Sequence, residues 1–423
     1  MSDCPTPIAI AMLIAIQYLE PGPHLARVSP QKAGAYLRAA FQRLPIAMVL
    51  LGWNLPPRMV EACAEQCARY DADLYLWQPL LTGDGSFQPP LAWHTIGLSG
   101  DPVAGHQGRA DFTFICPNRP AAREAALLHL SDVIAGGFYR GVFLDRIRFP
   151  SPAIDPARQL ACFCQDCRRK AGNVGLDLGF VQETLQQLLQ TAEGRRAATY
   201  SFFSPSSTAQ GEEPPSWLEQ LLAFRQRSIT AVVEAAAGLA KARGLKVGLD
   251  CYSPSLTLLV GQDLPGLAPH CDWIKLMTYA RAYGPASIPF EILGLANWLM
   301  TLDGESESRS MACLEDATRW PLPASREAVR HGGLSPEILT AEIRRGQAAH
   351  GRQLLAGIEL VEIPGVAELD EEQIKADSEA VLAGGPDGVV FSWDLCRIPL
   401  DRLELVSPLY CRPTTRFATR KGR

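Results

Sequence analysis

Eight times along this chain a short, nearly continuous apolar run gives way to a stretch with helical periodicity, and that alternation leaves few folds open. The runs are Ala11–Tyr18, Ala47–Trp53, Leu74–Gln78, Gly141–Ile147, Lys246–Tyr252, Trp273–Tyr279, Leu354–Leu360 and Gly388–Trp393. Between them the spacing predicts helices over Gln31–Arg43, Pro57–Tyr70, Ala121–Ala135, Trp217–Arg243, Pro336–His350 and Glu371–Ala383. Strands without polar alternation are buried on both faces, which is the pattern of a parallel sheet covered by helices. Eight such units within 423 residues favour an α/β fold of the closed (β/α)₈ barrel type over an open doubly wound sheet.

The first strand is followed by Gln17-Tyr-Leu-Glu-Pro-Gly-Pro23, with no glycine-rich phosphate loop, which disfavours a dinucleotide-binding fold. The reading is a single barrel over residues 5–400, with long insertions after the fourth and sixth strands. The first insertion spans residues 151–244 and carries a Ser/Pro-rich loop at Ser201–Pro215; the second includes a Ser/Glu/Gly-rich loop at Leu302–Ser310. Residues 401–423 read as a C-terminal extension ending in a basic, solvated tail from Arg412.

Charge narrows the function. Forty basic against 45 acidic residues give a net charge of −5, which provides no broad attraction for nucleic acid or anionic lipid. The run Ile8–Ile16 lacks a basic flank and is too short to cross a bilayer, so it reads as a strand; the expectation is a cytoplasmic protein with reduced thiols. Cys116 and Cys313, set in apolar sequence, read as ordinary buried thiols.

In such a barrel chemistry is built where the strands end. The fourth strand exits into Asp145, Arg146 and Arg148, the fifth into Asp250 and Tyr252, the sixth into Lys275, Met277 and Tyr279. The seventh ends at Glu359, the eighth at Trp393 and Asp394, and the second and third at Trp53-Asn54 and Trp77-Gln78. Carboxylates among Trp, Tyr, Asn and Arg suit glycoside cleavage, which needs one protonated and one ionised carboxyl group flanking the scissile bond. Aromatic faces pack on sugar C–H surfaces, and Arg and Asn hydrogen-bond hydroxyls. Each acid also has a structural reading: Asp145 as an ion-pair partner of Arg146 or Arg148, and Asp250, Glu359 and Asp394 as caps of the next helix.

Cys162, Cys164 and Cys167 form a Cys-x-Cys-x-x-Cys run, three thiolates at a spacing suited to a structural zinc site that needs one more ligand. The tRNA-guanine transglycosylases carry the same spacing followed by a histidine, but here no histidine lies between His129 and His270. Cys63 and Cys67 lack the third cysteine of a radical S-adenosylmethionine motif, since position 70 is Tyr70. No nucleophile elbow and no His-Glu-x-x-His motif is present, and His94, His106 and His129 read as loop or surface residues.

Ile115-Cys-Pro-Asn-Arg-Pro120, Arg123-Glu124 and then Gly141-Val-Phe-Leu-Asp-Arg-Ile-Arg-Phe-Pro150 resemble the bacterial glycosyl-hydrolase-like barrels. Ser253-Pro254, Gly261-Gln-Asp263, Met277-Thr-Tyr279, Gly357-Ile-Glu359 and Gly388-Val-Val-Phe-Ser-Trp-Asp394 extend the resemblance over most of residues 8–400. It implies a glycoside hydrolase or transglycosylase in which Asp145 is nucleophile or base and Glu359 the general acid, with Asp250 replacing Glu359 if that side chain points away. Arg148, Tyr252, Tyr279, Trp77, Trp393 and Asn118 would bind or orient a carbohydrate. No cofactor is required by that chemistry, and a structural zinc at Cys162, Cys164 and Cys167 would stand apart from it. The competing expectation is a non-catalytic carbohydrate-binding barrel that keeps the aromatics while its acids are engaged in ion pairs.

Overall fold

The computed structural model describes residues 12–203, 215–302 and 304–411. The basic tail 412–423 and positions 204–214 of the Ser/Pro-rich loop lie outside the described residues. Eight parallel strands close in sequence order: β1 Leu13–Tyr18, β2 Met48–Leu51, β3 Asp73–Pro79, β4 Gly141–Asp145, β5 Lys246–Tyr252, β6 Trp273–Met277, β7 Gln353–Glu359 and β8 Gly388–Ser392. The ring closes where β1 pairs with β8, Leu13 opposite Gly388 and Ile16 opposite Phe391. The chain is therefore the (β/α)₈ barrel its apolar rhythm predicts.

Two cores follow from strand alternation. Outward residues such as Val142, Leu144, Val247 and Leu249 pack under the helices. Inward residues form a separate plug of Tyr75, Trp77, Phe143, Trp273, Leu355 and Val390, with Phe143 stacked on Trp273 at 5.2 Å between centroids and Tyr75 edge-on to Trp273 at 5.7 Å. Glycines make room for it. A Cβ on Gly248 would lie 2.2 Å from the Trp273 ring, and one on Gly141 would lie 2.3 Å from the Tyr75 ring. These positions need glycine because only the absent side chain lets a strand and a large ring share the interior.

Helices form where sequence periodicity places an apolar stripe. Ser216–Ala242 buries Leu221, Leu222, Ile229, Val232 and Val233, each contributing roughly 1.5–3 kcal/mol of transfer free energy before entropy is subtracted. Its Arg225 is also buried and donates to the carbonyls of Ala161, Leu258 and Leu259 at 2.8–3.1 Å, tying the helix to two connections. Glu371–Gly384 begins with a reciprocal capping box between Asp370 and Gln373 and stops at Gly385 in the left-handed conformation.

The long connections hold more helix than their sequence suggests. Between β4 and β5 lie Gln165–Gly172, Leu178–Leu188 and Ala192–Phe203 before the long helix, and between β6 and β7 lie Ile288–Leu299, Glu307–Thr318 and Arg326–Gly332. Ser306 caps the second of these by accepting from the Arg309 N–H, so helix begins inside the segment expected to be a loop through Ser310. Residues 401–411, expected in an extension, include most of a helix, Leu400–Tyr410, that buries Leu403, Val406 and Tyr410 against the barrel. Among the described residues no helix is long and apolar enough to cross a membrane.

Candidate active site and cysteine cluster

Strand polarity puts every C-terminal strand end at one mouth, and a cavity of about 710 Å³ opens there. Its polar lining comes from the turns the sequence points to. Asp145 ends β4 and Arg146 and Arg148 follow it, Asp250 lies on β5, Lys275 on β6, Tyr279 just beyond it, Trp77 on β3, and Trp393 beyond β8. Tyr279 and Trp393 stand as tilted rings 5.7 Å apart.

Asp145 is buried, with one oxygen accepting from Trp77 Nε1 at 3.0 Å and the other from the backbone N–H of Arg146. Arg146 sits at φ 53°, a left-handed turn that points that N–H back at the carboxylate. Its guanidinium lies between the rings of Trp53 and Phe112, at 5.2 and 4.3 Å, with Nε 4.0 Å from Asp145.

Asp250 occupies the neighbouring strand. Leu144 pairs with Leu249, so Asp145 and Asp250 follow one another around the barrel in register. One Asp250 oxygen meets Lys275 Nζ at 3.1 Å, and the other is buried without a hydrogen-bond partner. Burial pushes Asp250 up to about 7, reinforced by the charge of Asp145 and opposed by Lys275. Burial works against the Lys275 charge, but Asp250, Tyr279 and Asp145 together hold its pKa above the usual lysine value. Lys275 also donates to Gln17 on β1 at 2.9 Å.

A third carboxylate, Glu20, lines the cavity two residues beyond β1. Burial pushes it up to about 7, with Asp394 adding to the shift and Arg146 and Arg397 opposing it. Glu20 obeys the same strand-end rule as Asp145, but the Gln17–Pro23 segment around it carries no other signal than the lack of a phosphate loop. Lys275 was visible at its strand end without a role. His106, expected on a loop, is on the cavity rim with Arg109 and Phe112, while Arg397 lines the wall beyond β8.

Other expected site residues stand elsewhere. Glu359 does not line the cavity. Its carboxylate accepts the backbone N–H groups of Arg281 and Ala282, the latter at 2.9 Å, and so anchors the segment after β6. Burial pushes Glu359 up to about 8, against the pull of those N–H groups. Tyr252 is fully buried behind the cavity wall, its hydroxyl donating to Glu291 at 3.1 Å and its ring lying under Arg148. Asp394 caps the turn after β8, accepts from Leu19 N–H at 2.9 Å and meets His24 at 2.7 Å. His129 is held by Asp84 at 2.6 Å; although burial disfavours the Asp84 charge, hydrogen bonds from His129, Phe87 N–H, Gln78 and Ser86 keep its pKa well below the usual carboxylate range.

Asn118 belongs to a different centre. Its Nδ2 donates to Cys167 Sγ at 3.3 Å and to Ser228 at 2.9 Å, and its Oδ1 accepts from Lys170 at 2.8 Å. Cys167 is one of four buried cysteines, Cys116, Cys162, Cys164 and Cys167, whose sulfur atoms all lie within 4.8 Å of one another. Cys116 is thus no isolated core thiol: its sulfur is 3.5 Å from Cys164 and 3.4 Å from Cys167. The sequence triplet concealed it because the fourth cysteine comes from the connection before β4, on another loop.

Comparison with solved structures finds barrels of the same architecture. The PgaB (BpsB) glycoside hydrolase domain from Bordetella bronchiseptica aligns over 95% of this chain and 97% of its own, with TM-score 0.53 and 12% identity. The β-galactosidase from Halorubrum lacusprofundi aligns over 94% of this chain at TM-score 0.57 and 12% identity, this chain spanning 58% of that protein. The β-amylase catalytic domain from Paenibacillus polymyxa aligns over 95% of this chain and 99% of its own, with TM-score 0.52 and 8% identity. At such identities the likeness establishes the fold. No protein-family model and no curated protein matches the sequence.

Proposed function

We propose that this barrel is a glycoside hydrolase or transglycosylase that uses Asp145 as nucleophile and Asp250 as general acid and base. The observation that carries the reading is the pair itself, two buried carboxyl groups on adjacent strands of one cavity. Neighbouring strands lie about 4.8 Å apart, which supports the short carboxyl separation of about 5–5.5 Å that accompanies retention of anomeric configuration. Asp145, fixed by Trp77 and Arg146, attacks the anomeric carbon while protonated Asp250 gives its proton to the leaving oxygen. A glycosyl–Asp145 ester forms and the glycosidic bond breaks. Asp250, now ionised, takes a proton from water or an acceptor hydroxyl, which attacks the ester and regenerates Asp145. Trp77, Tyr279 and Trp393 supply faces for the sugar, and the glycosidase names of the structural neighbours accord with the chemistry.

The Asp250–Lys275 pair favours a second reading, a carbohydrate-binding barrel without turnover, because an ion-paired acid is a poor proton donor. Measuring sugar binding and glycoside cleavage together, in the wild type and in Asp145→Asn, separates the two. Cleavage that falls by roughly 10²–10⁴ in the variant while binding persists supports hydrolysis. Saturable binding with no wild-type turnover supports the binding barrel, and absence of both rejects a carbohydrate function.

We also propose that Cys116, Cys162, Cys164 and Cys167 hold a structural zinc ion. Four thiolates at about 2.3 Å from a tetrahedral centre have sulfurs about 3.8 Å apart, the scale of this cluster. N–H donors already address two of the sulfurs, Ile96 to Cys162 at 3.3 Å and Asn118 to Cys167. The ion would tie the loop before β4 to the loop after it and take no part in bond cleavage. Elemental analysis of the purified protein should give one zinc per chain, lost in Cys116→Ser; a metal-free protein with these thiols oxidised in pairs would reject the site.

A further inference from the structure

The charge lining the cavity is opposite in sign to that of the chain. Five cationic side chains, Arg109, Arg146, Arg148, Lys275 and Arg397, face three carboxyl groups, Glu20, Asp145 and Asp250, within a protein of net charge −5. Three of the cations have acidic partners: Lys275 with Asp250, Arg146 beside Asp145, and Arg109 with Asp111 at 2.6 Å. The other two have none in contact, although the Arg397 charge reaches Glu20 and the Arg148 charge reaches Asp250 and Glu291. Among the described residues, Arg148 and Arg397 make no ion pair within 4 Å; Arg397 contacts His24 at 2.9 Å, and Arg148 donates one hydrogen bond to the Phe149 carbonyl at 3.1 Å.

Arg148 is the more informative. It is only 5% exposed, and its Nε is buried with no hydrogen-bond partner. Its guanidinium is fixed between the rings of Phe114 and Tyr252, at 4.4 and 4.8 Å, so the planar fork is oriented before any ligand arrives. A buried guanidinium with no counter-ion in contact is costly to maintain unless an anion completes it. Neutral sugar hydroxyls need hydrogen-bonding groups but not this charge excess, whereas a planar guanidinium matches the two oxygens of a carboxylate or the oxygens of a phosphate or sulfate.

We infer that the cavity takes an anionic sugar, one whose ring carries a carboxylate, sulfate or phosphate that docks on Arg148, with Arg397 as a second cation on the wall beyond β8. The inference rests on the carbohydrate reading and names its substrate class. The test uses calorimetric binding to the full chain carrying Asp145→Asn, which removes turnover, with matched methyl glycosides: hexoses, hexuronic acids, hexose 6-phosphates and hexose 6-sulfates. At least one anionic member should bind about tenfold or more tightly than its neutral counterpart at low salt. The advantage should shrink at raised salt, vanish in Arg148→Gln and return in part in Arg148→Lys. The members that bind identify the oxyanion.

Equal or stronger binding of the neutral sugars throughout would overturn the inference while leaving the glycosidase reading intact. Binding by no sugar of either kind would overturn both. Should Arg148→Gln fail to fold, salt dependence and Arg397→Gln in the otherwise unaltered cavity decide the matter. A preference for anions insensitive to both would also reject the proposed docking site.

Discussion

Glu20 is partly buried at the cavity wall, and the environment that lifts it to about 7 also predicts how it affects stability. A carboxyl group whose pKa is higher in the folded than in the unfolded chain holds its proton more tightly when folded. Its contribution is fully present below the unfolded value, near 4.5, and is lost as pH rises through about 7. That difference corresponds to about 3 kcal/mol, and solvent at the exposed edge of the side chain reduces it to about 2 kcal/mol. Glu20→Gln replaces the carboxyl with a neutral group of the same shape. Chemical denaturation at a series of pH values should therefore show the variant matching the wild type below about pH 4.5 and exceeding its stability by about 2 kcal/mol above pH 7. A stability difference that does not change across this range, or one of opposite sign, would refute the assignment of buried charge to Glu20. Kinetics belong beside it, because an acid held in an unfavourable state at a cavity wall is a common mark of function. A variant that gains stability while its catalytic rate falls would show that the strain serves the reaction.

Glu359→Gln should retain cleavage within about an order of magnitude, because that carboxylate holds backbone N–H groups outside the cavity; a loss as large as that of Asp145→Asn would return it to the mechanism. If Asp250 is the proton donor, kcat/KM should decline as pH rises through about 7, and Lys275→Met, which removes the charge pulling that value down, should move the alkaline limb upward; a limb that stays in place would reject Asp250 as donor. Gly248→Ala should destabilise the barrel by about 1–3 kcal/mol in a denaturant melt, since its Cβ would lie 2.2 Å from the Trp273 ring; a neutral effect would show that the aromatic plug can shift.

The barrel was legible because strands buried on both faces write themselves as apolar runs, and Lys246–Tyr252 even keeps its predicted bounds. Ala192–Phe203 was not legible: its mixture of small, polar and aromatic residues gives little amphipathic contrast, and its burial is decided by tertiary packing. The site divides along the same line. Position toward or just past the C-terminal end of a strand brings Asp145, Arg148, Asp250, Tyr279, Trp77 and Trp393 to one wall region, since the fold fixes where strands end. Glu359 satisfies the same positional rule, yet its carboxylate is occupied by N–H groups from the connection after β6, and pairing between distant segments is invisible in a linear pattern. Cys116 and Asn118 teach the complementary lesson. Their partners lie about 50 residues further along, so local spacing could reveal three members of the cluster but not the fourth.

The stacked rings of Phe143 and Trp273, with Tyr75 against them, fill the barrel below the acids. A chamber with such a floor is approached from the mouth above it. On the glycosidase reading, a fragment leaving through that mouth occupies the approach of the next molecule. Clearance at the rim, where His106, Arg109 and Arg397 stand, would then bear on turnover as well as bond breaking at its base.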